Sequence, residues 1–565
     1  MKVTVYIVSL IVSFSLLSEK LNAQLSTKGT DFWFSCGQNR TYEANTVNLQ
    51  YRVVAEEPNT VVTFEYREST THNHTMNIAA PGVYNYEPNN ARKQAIYPAN
   101  NNNDKNGITN KSVHVTSTKP IYLYVLNQRD ITTDATNILP VSSLGTDYYH
   151  ISYEASGSWR DGYTLVATEN GTDFWEDSVL IAANMSRGQV YYRWPNAKFR
   201  SQDQTGLHIT SNKPVAFFVT NSGVFIPTYL HNGADILYQQ FMPVNTWGRR
   251  FMVPVTHRGM VRTRVLASQA NTTVNFVGGT VVEDNGGYSK SVLPAPPPYT
   301  LDAGEFIEIH TALVYDNGTF IEADKPVAVC SYIMGRDERN ESEDLIGDND
   351  KGDPSIVWIP PIEQAVKSIL AAPFIPTGVS AIDYHRALIV TPTATKSSTT
   401  LKLNGTPVPL PGIWYDHPSG YSFYNYAFNG SSAASAWQYL FDNPSGLVLL
   451  CYGFGSYESY YYFAGAAARD LDLAFYYTNP GISDTIHHQD LEGMVFCDTV
   501  AHFSAVVQYA MSTAPGYLKW FIDNVEQTAV RDSLSWWTTS LSPGVHTVDL
   551  VALGLNGDVD TASST

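Results

Sequence analysis

One phrase returns along this chain at domain-sized intervals. It reads Val115-Thr116-Ser117-Thr118-Lys119-Pro120-Ile121-Tyr122-Leu123, then Ile209-Thr210-Ser211-Asn212-Lys213-Pro214-Val215-Ala216-Phe217, then Ile321-Glu322-Ala323-Asp324-Lys325-Pro326-Val327-Ala328-Val329. A looser copy spans Phe441 to Cys451, where Asn443-Pro444-Ser445-Gly446 precedes Leu447-Val448-Leu449-Leu450. Proline fixes φ and lacks an amide donor, so a polar stretch, a proline and then a β-branched or aromatic run reads as a turn feeding a buried strand. A chain that repeats such a unit must fold as successive copies of one sheet-forming module.

Two further phrases keep the same order. Gly29-Thr30-Asp31-Phe32-Trp33-Phe34 matches Gly145-Thr146-Asp147-Tyr148-Tyr149, with Trp247-Gly248-Arg249-Arg250-Phe251 as a looser copy. Tyr51–Ala55, Thr164–Thr168, Arg264–Ala267 and Ala387–Thr391 are related strand cores. Together they divide the chain into four β units, 27–135, 136–240, 241–358 and 359–470. Residues 471–490 read as a connector and 491–565 as an immunoglobulin-like module. In that module Trp520 lies a suitable distance after Cys497 for an immunoglobulin-type core, and the polar tail from Asn556 offers no closing strand, as in a truncated module. Sustained helical periodicity is missing, and the best helix candidate is Glu363 to Ala372. The fold class is therefore all-β: tandem β-sandwich-like units, with a propeller-like ring as the alternative, and a C-terminal immunoglobulin-like domain. Asn100–Asn110 and Leu293–Tyr299 read as surface loops.

Location follows from the first residues. Met1-Lys2, an apolar run from Val3 to Ser18 and the small residue Ala23 form a signal peptide over 1–23, predicting a secreted or cell-surface protein. No later run is long and apolar enough to span a membrane. With 35 Lys and Arg against 53 Asp and Glu, the net charge of −18 repels phosphate backbones and excludes nucleic acid as a partner. The four cysteines, Cys36, Cys330, Cys451 and Cys497, are too scattered for a zinc site, although export permits disulfides between them.

These phrases, with Gly352-Asp353-Pro354-Ser355-Ile356-Val357-Trp358-Ile359-Pro360-Pro361-Ile362, resemble the N-terminal domain of the IgG Fc-binding protein family. The resemblance covers about residues 27–465 and includes secreted proteins of Bacteroidetes-type bacteria. Its framework residues fall here on Gly29, Asp31, Trp33, Lys119, Pro120, Lys213, Pro214, Lys325, Pro326, Asp353, Pro354 and Pro361. The tail from about 490 resembles the immunoglobulin- or PKD-like modules that follow such domains. The resemblance implies an extracellular binding protein or adhesin whose partner is a host or mucus glycoprotein, another extracellular protein or a glycan. A structural part of a bacterial surface assembly, in adhesion or gliding, is the alternative reading; a carbohydrate-active enzyme ranks third.

Catalytic spacings are missing: there is no His-Glu-x-x-His, Gly-x-Ser-x-Gly or phosphate-binding loop, so no catalytic residue and no cofactor is assigned. The acidic stretch Asp337–Asp353 reads as a solvated loop; Asp348, Asp350 and Asp353 are the candidate ligands for a structural calcium ion. His487-His488 reads as part of an exposed connector. In Tyr460-Tyr461-Tyr462-Phe463, alternation places two rings on each face of a strand, at least one face being core. Trp536-Trp537 should likewise pack one ring and expose the other.

Overall fold

The computed structural model describes residues 27–564 apart from 41–42, 97–105, 158, 195–202, 229–232, 286–288, 293–295, 336–350, 375–381, 429–437, 469–472, 481–485, 489–490, 492–493, 496–499, 508–515, 539–540 and 554–558. The expected signal peptide, Asp348, Asp350, Cys497 and part of each of the two long loops lie outside the described residues. The chain divides into two compact units, Ser26–Ala468 and a unit holding Arg469–Thr565.

In the first unit the Lys-Pro phrase is not a turn before a strand. It sits within one long strand in every copy: Val113–Arg129, His208–Val224, Thr319–Ile333 and, for the loose copy, Tyr439–Gly455. Asp31 lies opposite Thr116 while Gly29 lies opposite Ile121, so two steps on one strand meet five on the other. The same slip recurs between Gly145 and Asp147, between Gly248 and Arg250, and between Val366 and Ser368. Extra residues on one side of a ladder bend the strand, and a proline at the bulge costs no ladder hydrogen bond. Before the bend each long strand pairs with the first and third principal strands of its repeat. After it, the strand pairs with the second principal strand and with a short following strand. One bent strand thus serves both sheets of each sandwich-like unit, and the architecture is all-β.

The short following strands decide how the units assemble. Thr132–Ile138, Asp235–Gln240, Ser355–Trp358 and Glu458–Gly465 pack first on second, second on third, third on fourth and fourth back on first. The four repeats therefore close into a ring around these axial strands. The ends meet where the Thr27 amide donates to the Ala466 carbonyl at 3.0 Å and the Ala466 amide to Thr27 Oγ1 at 3.1 Å. Successive repeats are wedged together by a glycine against a proline. A Cβ on Gly29, Gly145 or Gly248 would stand 2.4, 2.6 or 2.4 Å from the Cβ of Pro140, Pro243 or Pro361. Only glycine permits so close an approach. Gly107–Thr109, although in the first repeat by sequence, adds an edge strand to the second repeat's sheet beside Val190–Tyr192.

Several local expectations give way to this packing. Ile362–Gln364 is a single 3-10 turn and Val366–Ala371 a strand, so no helix forms from Glu363 to Ala372; Ser368 to Ala371 are held by the long strand of repeat four. Tyr460 to Phe463 are all buried, with Tyr460 and Tyr462 in a core shared by repeats one and four and Tyr461 and Phe463 in the main core. That strand is two-sided, as alternation predicted. Cys36, Cys330 and Cys451 are buried free thiols, so no disulfide links the described cysteines. Burial pushes the Cys36 and Cys451 thiols up to about 12.

The second unit pairs two four-stranded sheets. One holds Leu473–Thr478, Ile486–His487, His502–Val507 and Ser535–Trp537; the other holds Leu518–Ile522, Val525–Glu526, Val548–Leu553 and Val559–Ser564. Fully buried Trp520 packs edge-on to Phe475 between them, with centroids 5.6 Å apart. The expected connector therefore supplies a strand, Leu473–Thr478, and the polar tail supplies another, Val559–Ser564. His487 and His488 are buried rather than exposed, and burial lowers the His488 pKa to about 4. Among the described residues no helix is long and apolar enough to cross a membrane.

Candidate functional site

The framework phrases hold the repeats in shape. Lys119, Lys213 and Lys325 each reach across to a turn carbonyl between the second and third principal strands: Pro58 O at 2.9 Å, Asn170 O at 2.5 Å and Ala270 O at 2.5 Å. Asp31 binds His114 Nε2 at 2.8 Å, and the imidazole stacks on Trp33 at 4.2 Å. Repeat two copies this with Asp147 and His208 at 2.7 Å and Tyr149 stacked at 4.4 Å. Pro120, Pro214 and Pro326 mark the bends, and Pro361 is a wedge partner. Each of these groups is engaged within the fold.

Chemistry concentrates instead on the ring axis. Asp134 is fully buried, and its carboxylate receives an amide from every repeat. Oδ1 accepts from Ala135 N at 2.9 Å and Tyr461 N at 3.3 Å; Oδ2 accepts from Tyr238 N at 3.0 Å and Ile356 N at 3.4 Å. The long-strand registers place Ala135, Tyr238, Ile356 and Tyr461 at one equivalent position, so four related amides converge on one side chain. Burial pushes the Asp134 carboxyl upward, and the four amides oppose it.

Two residues before Asp134 and its counterparts stand Thr132, Asp235, Asp353 and Glu458, all buried. Asp235 Oδ1 accepts from Thr133 N and Ile236 N, both at 2.7 Å, while Glu458 Oε2 accepts from Thr133 Oγ1 at 2.9 Å. The Asp353 amide donates to Ser459 Oγ at 2.8 Å. Burial, then the charges of Asp353 and Glu458, raise the Asp235 carboxyl, and the Arg40 guanidinium partly offsets them. Arg40 donates to Ala234 O at 3.1 Å and lies 4.5 Å from the centroid of the Trp159 ring. Asp353, read from sequence within a solvated loop, thus belongs to a buried acidic layer; Pro354 follows it into the third axial strand. Among the described residues no group of three or more His, Cys, Asp or Glu side chains is arranged to hold a metal ion.

Sequence reasoning missed this axis. The axial strands share no sequence phrase, and Asp134 has Leu237, Ser355 and Tyr460 as its counterparts. The available signal was a charged residue inside the strand-like run Thr132–Leu139.

The profile of the IgGFc binding protein family matches residues 134–453, more than half of the chain. The chain belongs to the IgGFc binding protein family. The match begins at Asp134, so family likeness is registered over repeats two to four. A comparison with curated proteins returns no match. Among solved structures, the N-terminal eight immunoglobulin domains of Down syndrome cell adhesion molecule align at 6% identity over 95% of this chain and 69% of that one. The TM-score of 0.13 is too low for that likeness to bear on the fold.

Proposed function

We propose that this member of the IgGFc binding protein family is a secreted or cell-surface binding protein, not an enzyme, whose ring is a rigid frame for recognition at its rim. Membership of the family, named for binding, carries the reading. The axis supports it: Asp134 is engaged by four backbone amides and the acidic layer beside it is buried, so ligand contact falls to the loops. Exposed apolar side chains stand at strand ends beside such loops, Val179 and Leu180 in repeat two and Val277 in repeat three, and in a turn of repeat three, Tyr315. They suit an extracellular protein or glycoprotein partner. The alternative, a spacer in a bacterial surface assembly for adhesion or gliding, rests on the stiffness of the closed ring.

The test immobilises the full chain and measures retention of IgG Fc, of intact and deglycosylated mucin, and of bacterial envelope fragments. Saturable retention of Fc or either mucin sample, weakened at least tenfold by Val277→Ser with Tyr315→Ser, supports the proposal. Retention of envelope fragments alone favours the spacer reading, and retention of nothing overturns binding at the rim.

A further inference from the structure

The two sheets of the C-terminal unit differ in charge. Strands Leu518–Ile522, Val525–Glu526, Val548–Leu553 and Val559–Ser564 carry Lys519, Glu526, Asp549 and Asp560. Strands Leu473–Thr478, Ile486–His487, His502–Val507 and Ser535–Trp537 carry no Asp, Glu, Lys or Arg, in a chain of net charge −18. The uncharged sheet also holds an unusual tryptophan. Trp536 turns inward onto Phe503, with centroids 5.6 Å apart, so strand alternation turns Trp537 to the outer face. There it is 54% exposed, and among the described residues no other tryptophan is exposed.

Register sets what surrounds it. Trp537 lies opposite His502, which lies opposite Thr478; one row along, Ser535 lies opposite Ser504 and Ser504 opposite Tyr476. The His502 and Trp537 ring centroids are 4.7 Å apart. In these two rows the outer face is thus a solvent-facing indole beside an imidazole, aliphatic hydroxyls and a phenol, with Val506 exposed in the next row and no formal charge contributed by its strands.

We propose that this face binds neutral carbohydrate. A pyranose presents an apolar C–H face bordered by hydroxyls. The first stacks on the indole, and the hydroxyls exchange hydrogen bonds with His502, Thr478, Ser504 and Ser535. A protein partner held by the hydrophobic effect would need a wider apolar patch around Trp537, whereas its neighbours in these rows are polar. Sulfated or uronic polymers would find no cation among these strands. The inference is independent of what the ring binds.

Affinity electrophoresis of the full chain through gels containing yeast mannan, laminarin or galactan tests it, with alginate and heparin as anionic controls. Retardation by at least one neutral polymer is expected, weakened at least tenfold by Trp537→Ala and several-fold by His502→Ala, with the near-ultraviolet circular dichroism of His502→Ala unchanged. Ser504→Ala, which removes one hydroxyl, and Trp537→Phe, which keeps a smaller ring, preserve the test should the alanine variant misfold. Migration unaltered by every neutral polymer, binding indifferent to the Trp537 and Ser504 variants, or retention by the anionic polymers alone would overturn it. Sedimentation showing that the wild type self-associates through Trp537 would do the same.

Discussion

Two seams of the ring are closed in opposite ways. Between repeats two and three, Arg264 is buried within a network of acids. Its Nε donates to Glu308 Oε2 at 3.0 Å, and its Nη1 to Asp203 Oδ2 at 2.5 Å and Ser152 O at 2.7 Å, with the guanidinium 4.1 Å from the Tyr153 ring. Between repeats one and four, Arg52 is equally buried, but its partners are neutral. Nη1 donates to Ala372 O at 2.9 Å and Pro373 O at 2.5 Å, Nε to Asn85 Oδ1 at 2.9 Å, and the guanidinium stands 4.1 Å from the Phe374 ring. Burial lowers the Arg52 pKa, and only tyrosines and Cys451 push it back. One seam has its charges balanced; the other tolerates a cation solvated by carbonyls and aromatic rings. A buried ion pair is costly to break from one side, whereas a buried charge with neutral partners leaves no stranded counter-charge when removed.

Three substitutions probe the contrast. Asp134→Ala acts on every seam at once, leaving four buried amides unsatisfied; at about 1–3 kcal/mol each, the loss should exceed about 4 kcal/mol and be largest in denaturant titration. A loss under about 1 kcal/mol would mean that the axial carboxylate does not hold the repeats together.

Arg264→Met should cost about 3–5 kcal/mol at neutral pH, because Asp203 is left without its cation and Glu308 keeps only Arg262, at 3.2 Å. Acid should narrow that loss. Burial alone would raise the Asp203 carboxyl, but Arg264 and Thr205 overcome it and hold the pKa below the ordinary range. A depressed carboxyl stabilises the fold above its unfolded pKa near 4, and that contribution disappears as pH falls through the folded value. Melting curves at pH 7 and pH 3 should therefore converge for wild type and variant, and a gap that widens in acid would contradict the ion-network account. Arg52→Met should cost less, about 1–2 kcal/mol, with no change between pH 7 and pH 5, because no carboxylate at that seam loses its partner. Equal losses from the two arginine variants would erase the distinction.

The parts legible in the sequence were those each repeat encodes locally. The Lys-Pro phrase marked three of the four long strands because a proline at a bulge can forgo its amide donor; in the fourth, Gly446 takes that position. Its reading as a turn failed because pairing on both sides carries the strand through the bend. Gly29, Gly145 and Gly248 recurred visibly, yet their proline partners lie about a hundred residues onward, beyond the reach of a local pattern. Ring closure was least legible. It depends on backbone amides around Asp134, and backbone groups leave no compositional trace. His487 and His488 looked exposed in a polar neighbourhood, but tertiary packing on Phe475 and Tyr476 buries both.

The strand Gly107–Thr109 puts inheritance and folding out of step. The stretch that reveals kinship starts at Asp134, but the second repeat's outermost ladder partner lies upstream of it, as does Thr27, the latch for the fourth. A fragment trimmed to the region of recognisable ancestry would carry a bare sheet margin and an unfastened end. What is recognisable as three copies is assembled here with contacts from a fourth.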